Sequence, residues 1–152
     1  MQRDKYCLLY HLNRVSHLIK WELNNRLEDF QLTSAQWRVL MELKHYGDSN
    51  QPGDNITPAF IAERLNVERP AITRVVDSLI QANWIVKKDN PHDRRSQFVF
   101  LTDKAKRALP DLQIIGDKVM EKSFRGINKI DIQHLNAFLK GMINNFCRDN
   151  IK

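Results

Sequence analysis

Cysteine is nearly absent from this 152-residue chain: Cys7 and Cys147 are the only two. That is too few for a disulfide framework, so a core must hold the fold. Long apolar runs are missing as well. Nothing approaches the ~18–20 consecutive apolar residues of a membrane-spanning helix. The start Met1-Gln2-Arg3-Asp4 leads into an amphipathic pattern rather than the apolar segment of a secretory signal. The cytoplasm is therefore the expected compartment. Glycine is scarce, with five residues, and none is set in a phosphate-cradling loop or a nucleophile elbow. His11, His17, His45, His92 and His134 include no pair at metal-binding spacing on one helical face. No cofactor, metal or catalytic activity is expected.

What is present is apolar periodicity and an excess of positive charge. Hydrophobic residues make up 42% of the chain, enough for one core, and the net charge of +6 suits a polyanionic partner. The excess is spread thinly. Residues 56–102 hold seven basic against five acidic side chains, so the argument for nucleic acid has to come from where individual arginines stand.

Leu8, Leu12, Val15, Ile19, Leu23, Leu27 and Phe30 recur at three- and four-residue steps, one stripe on a long first helix. Leu32-Thr33-Ser34-Ala35-Gln36-Trp37 reads as a second helix start. Thr33 is its cap, Gln36 stands at the capping-box position, and Leu32 with Trp37 suits a hydrophobic staple. Gly47 should end that helix and open a polar loop through Asn55. Thr57 caps a third helix with Pro58 in its first turn, and Asn66 suits its C-terminal turn. In the fourth, Ile72, Val75, Val76 and Leu79 point one way while Arg69, Thr73, Arg74 and Asp77 point the other. A strand at Trp84-Ile85-Val86, a polar tip Asn90-Pro91-His92-Asp93-Arg94-Arg95 and a returning strand Phe98-Val99-Phe100-Leu101 make a hairpin. Thr102 caps a helix carrying Ala105, Leu109, Leu112 and Val119, kinked at Pro110 and ended by Gly126. A last helix carries Ile132, Leu135, Leu139, Met142 and Phe146.

Two short helices followed by a basic hairpin form a winged helix-turn-helix, a mainly α fold that lays a helix in the DNA major groove and reaches sideways with its wing. The residues also resemble a family. Leu65-Asn66-Val67-Glu68-Arg69-Pro70-Ala71-Ile72-Thr73-Arg74 and Asp93-Arg94-Arg95-Ser96 are similar to the recognition-helix and wing motifs of MarR-type transcriptional regulators, and the likeness extends over nearly the whole chain. The loop before Asn55 is longer than the family's usual turn. The resemblance implies a reader over residues 33–102, flanked by helices in 1–32 and 103–152 that interlock in a homodimer. Packing of the terminal helices on each other within a monomer is the alternative. A dimer would match a pseudo-palindromic operator, two recognition helices about one DNA turn apart.

Within the reader, Arg69 and Pro70 occupy the first turn of the fourth helix, where free N–H groups and the helix dipole favour phosphate. Pro70 and Ala71 are small enough for close approach to the groove, Thr73 lies on the same face, and Arg74 can take guanine O6 and N7 in two-pronged fashion. Arg94 and Arg95 stand at a hairpin tip with no core to serve, and guanidinium suits the narrow A·T-rich minor groove. Asp93 would fix the tip by accepting hydrogen bonds. The resemblance implies one groove arginine and one brace; Arg94 is assigned the groove and Arg95 the brace. Lys87 and Lys88 at the hairpin base read as phosphate contacts or as solvated surface. Trp21 and Trp37 are candidates for a ligand pocket, since many proteins resembling this one respond to small anionic or phenolic compounds, although aromatics at helical spacing are more often core. Cys7, near a helix start and Lys5, raises a second class, a thiol-based redox regulator. A third is a winged adaptor that contacts protein rather than DNA; arginines at the wing tip count against it.

Overall fold

The computed structural model describes residues 2–47, 56–90, 93 and 97–149. In chain order they form α1 (Gln2–Arg26), a short 3-10 turn (Glu28–Phe30), α2 (Ser34–Gly47), α3 (Pro58–Leu65), α4 (Arg69–Gln81), β1 (Ile85–Asp89), β2 (Gln97–Leu101), α5 (Asp103–Ser123) and α6 (Lys129–Asp149). Two compact units result, one ending at Asp117 and the other beginning at Lys118.

Local signals set most helix starts. Thr33 and Gln36 close a reciprocal capping box: the Gln36 backbone N–H donates to Thr33 Oγ1 at 3.2 Å, and the Thr33 N–H to Gln36 Oε1 at 2.8 Å. Thr57 Oγ1 accepts from the Phe60 N–H at 3.1 Å. Asn66 ends α3 in the left-handed region at φ 49°, a conformation asparagine tolerates better than most residues. Asn128 caps α6 by accepting from the Asp131 N–H at 2.9 Å.

Two boundaries differ from expectation. The stripe predicts one helix to Phe30, yet α1 stops at Arg26 and the chain turns through Gln31 at φ 54°. The turn, closed by the Leu32 N–H on the Leu27 carbonyl at 3.3 Å, lets both leucines be buried. A straight helix could not aim residues five apart into one core as well as the turn does. Helix α5 runs through Pro110 without a break and ends at Ser123, three residues before Gly126, which takes the left-handed turn position at φ 81°.

The core of the first unit is built on α2, with Val39, Leu40 and Leu43 fully buried against Ile72, Val76 and Leu79 from the inner face of α4. Leu109 and Leu112 of α5 are buried too. Strands β1 and β2 pair antiparallel, Ile85 opposite Leu101 and Asp89 opposite Gln97. The backbone just before α3 joins them, since the Val99 N–H donates to the Ile56 carbonyl at 2.8 Å. Trp84 is buried at the foot of the hairpin. Lys104 from α5 lies 4.5 Å above its ring and donates to the Ala82 carbonyl at 2.9 Å, which ties the end of α4 to the start of α5. Among the described residues no polar or charged side chain is fully buried, and no helix is long and apolar enough to cross a membrane.

Among the described residues α1 and α6 expose the most apolar side chains. On α1, Leu8, Val15, Leu18 and Trp21 are each half exposed or more. On α6, within the second unit, Phe138 and Phe146 are 70% and 73% exposed, with Leu135 and Met142 between and beside them on the same face.

Candidate nucleic-acid interface

Helix α4 sorts its residues as its periodicity requires. Ile72, Val76 and Leu79 are buried, while Arg69, Pro70, Thr73, Arg74 and Asp77 are exposed and Ala71 is half-buried. The outward row is thus a polar, mildly basic surface on a helix whose opposite face is anchored in the core. Thr73 turns its hydroxyl back to the Arg69 carbonyl at 3.0 Å, leaving its methyl outward. Arg74 leans its Nε towards the Pro70 carbonyl at 3.4 Å, a long and weak bond. Asp77, the carboxylate one turn on, is engaged elsewhere.

That engagement is with Lys87. The ammonium of this β1 residue lies 2.9 Å from Asp77 Oδ1, with side chains 28% and 51% exposed. The pair fastens the recognition helix to the wing and shields the one carboxylate on the outward row from the phosphates it would repel. The sequence offers Lys87 as a phosphate contact or a solvated lysine; in the fold its charge is directed at Asp77. Lys88 points to the other face of the strand, exposed, with its Nζ 5.0 Å from the Phe100 ring, a diagonal cross-strand neighbour. It is the better placed of the two for phosphate. Beyond the strands, the Asp93 N–H donates to the Asn90 carbonyl at 3.3 Å across the tip. Arg94, Arg95 and Ser96 lie outside the described residues.

The Asp77–Lys87 pair makes a prediction. As a half-exposed ion pair it contributes under about 1 kcal/mol to stability, so Lys87→Ala should barely move the urea midpoint. DNA binding should still weaken, more at low salt than at high, because Asp77 is left facing phosphate. Asp77→Asn in the same protein should recover most of that loss. No recovery, with a salt slope lower by ~1, would make Lys87 a direct phosphate contact instead.

The other candidate residues lie outside α4 and the wing. Trp21 is 55% exposed on α1. Trp37 is half-buried on α2 and gives its indole N–H to the Leu112 carbonyl of α5 at 2.9 Å, so its polar handle already has a partner. Cys7 is exposed with Sγ 3.7 Å from His11 Nδ1; the side chain of Cys147 lies outside the described residues. Among the described residues no group of three or more His, Cys, Asp or Glu side chains could hold a metal ion. Sequence reasoning missed Ser78 and the second role of Gln36, whose amide nitrogen donates to Ser78 Oγ at 2.9 Å. Their separation of 42 residues leaves no local signal.

Comparison with known proteins agrees with this geometry. Residues 30–96 match the model of the MarR family. The uncharacterized HTH-type transcriptional regulator YwoH of Bacillus subtilis is 30% identical over 131 residues, covering 84% of this chain and 90% of that protein. The multiple antibiotic resistance protein MarR of Escherichia coli is 25% identical, covering 87% and 90%. Among solved structures, the S. aureus MepR–DNA complex superposes with a TM-score of 0.80 at 21% identity, covering 90% of this chain and 96% of that one.

Proposed function

The chain belongs to the MarR family of transcriptional regulators, and on that footing we propose that it acts as a homodimeric repressor, reading a pseudo-palindromic operator with α4 in the major groove and the wing in the adjacent minor groove. The observation that carries the reading is the outward row of α4, Arg69, Pro70, Thr73 and Arg74, on a helix fastened to the wing through Asp77 and Lys87. A fixed helix and hairpin present two contact sets to one half-site, as groove reading requires. Lys88 adds a phosphate contact, and Asp93 braces the tip that carries Arg94 and Arg95.

Dimerisation is supported by the exposed apolar residues of α1 and α6, in the segments 1–32 and 103–152 assigned to assembly. Rows of aromatic and aliphatic side chains in water mark an interaction surface, and a second copy with the same rows is a self-complementary partner. A dimer seated across a promoter excludes polymerase, hence repression from the cytoplasm. Release by a small phenolic or anionic compound belongs to the same proposal and rests on the resemblance alone.

Selection from a random duplex library, followed by sequencing, tests the reading whatever the operator sequence is. The expected product is a pseudo-palindrome with half-site centres about one helical turn apart. A single unpaired motif, or no enrichment, would refute it. On the selected duplex Arg94→Ala should weaken binding by ~1–3 kcal/mol per half-site with the fold unchanged; affinity equal to the parent at the same salt would remove the minor-groove assignment.

A further inference from the structure

The first turn of α2 makes directional contacts to three other helices of the same unit. The Ser34 N–H, one of the donors a helix start leaves without an internal partner, donates to Asn24 Oδ1 on α1 at 2.7 Å. Gln36 uses Oε1 for the capping box with Thr33, which leaves Nε2 over, and Nε2 donates to Ser78 Oγ on α4 at 2.9 Å. The Ser78 hydroxyl in turn donates to the Val75 carbonyl at 2.7 Å, so the contact ends on the backbone of α4. Trp37 donates to the Leu112 carbonyl on α5 at 2.9 Å. Its benzo ring lies so near Gly116 that a Cβ there would stand 2.5 Å from Cζ2 and 3.0 Å from Cη2.

Apolar packing restricts these helices to a few crossing angles, and hydrogen bonds narrow that choice further because they constrain direction. Gly116 points the same way. Glycine inside a helix is disfavoured relative to alanine, and here its use is the close approach of an indole to a helix backbone. Gly141, in α6, has open space around it and no such contact.

We propose that the first turn of α2 is the junction that sets the angle of the recognition helix on α1 and α5, so that Gln36, Trp37 and Gly116 are positioning residues that touch no DNA but fix the half-site spacing the protein accepts. The inference rests on the two-half-site reading above. Its leverage is large. In a twofold dimer a shift of one reader along the DNA is repeated by its partner, so about 1.7 Å per reader matches the ~3.4 Å rise of one base pair.

The test uses the selected operator and duplexes in which the half-site centres are moved closer or farther by one base pair, at fixed salt. Gly116→Ala, which forces ring and helix apart, should change the affinity ratio between native and altered spacing by at least about fivefold. Binding to an isolated half-site should be unchanged, while the urea midpoint should fall, because displacing the indole outweighs alanine's preference for the helix. Ser78→Ala, which leaves the Gln36 cap intact, should flatten the spacing preference by a similar factor, and it decides the matter should Gly116→Ala fail to fold. Unchanged spacing ratios in folded variants would overturn the junction. A wild-type protein without any spacing preference would instead overturn the two-half-site reading on which it rests.

Discussion

Replacing Phe138 and Phe146 together by glutamate should convert the proposed dimer to a monomer of 17.9 kDa and lower operator affinity by roughly 10²–10⁴-fold, the loss of effective concentration when two linked readers become one. Both rings lie on one face of α6 and are 70% and 73% exposed, so the substitution costs little inside a single chain. In a dimer four such rings leave water, each worth about 1.5–3 kcal/mol on full burial, and carboxylates in their place would be buried without partners. Sedimentation at micromolar concentration and titration on the operator check the two halves of the expectation. A double variant that stays dimeric removes α6 from the interface. A monomer that binds as tightly as the parent removes the need for two readers.

Arg74→Ala should weaken operator binding by ~1–3 kcal/mol per half-site, which a twofold dimer doubles to about 2–6 kcal/mol, from tens of times to roughly 10⁴ in affinity. The guanidinium is exposed on the outward row, held only by a 3.4 Å contact to the Pro70 carbonyl. Asp77, which would otherwise compete for it, is paired with Lys87. A base-reading arginine loses affinity for the operator and much less for scrambled duplex, so the discrimination between the two should fall. Equal losses on both duplexes would make Arg74 a phosphate contact, which positions without specifying. Circular dichroism should be unchanged, because the residue adds nothing to the core.

The two expectations differ in how they could be known. The outward row of α4 follows from one helical period, and any chain with Ile72, Val76 and Leu79 buried must present Arg69, Thr73 and Arg74 to solvent. Which ion pair Asp77 makes does not follow, because its neighbour in sequence, Arg74, and its neighbour in space, Lys87, are equally good by charge. Only the closeness of β1 to α4 chose between them. The wing strands and their order were legible from alternating apolar residues around a polar tip. The pairing of Ile56 with Val99 was not, since a single backbone bond across 43 positions leaves no pattern in either segment.

By itself the sequence determined what a few neighbouring residues can decide: the capping box at Thr33, the cap at Thr57, the left-handed end at Asn66, the faces of each helix, the fold class and the family. Those features depend on partners three or four positions away or on a repeating period, and chain connectivity guarantees that such partners meet. Tertiary structure decided where α1 stops, because burying both Leu27 and Leu32 needs a turn that no residue preference at Gln31 announces. It also decided that Trp37 closes on α5, that Gln36 reaches Ser78 and that Lys87 answers Asp77. In each case the partners are brought together by packing of distant segments, and whichever donors and acceptors then lie within about 3 Å form the bond.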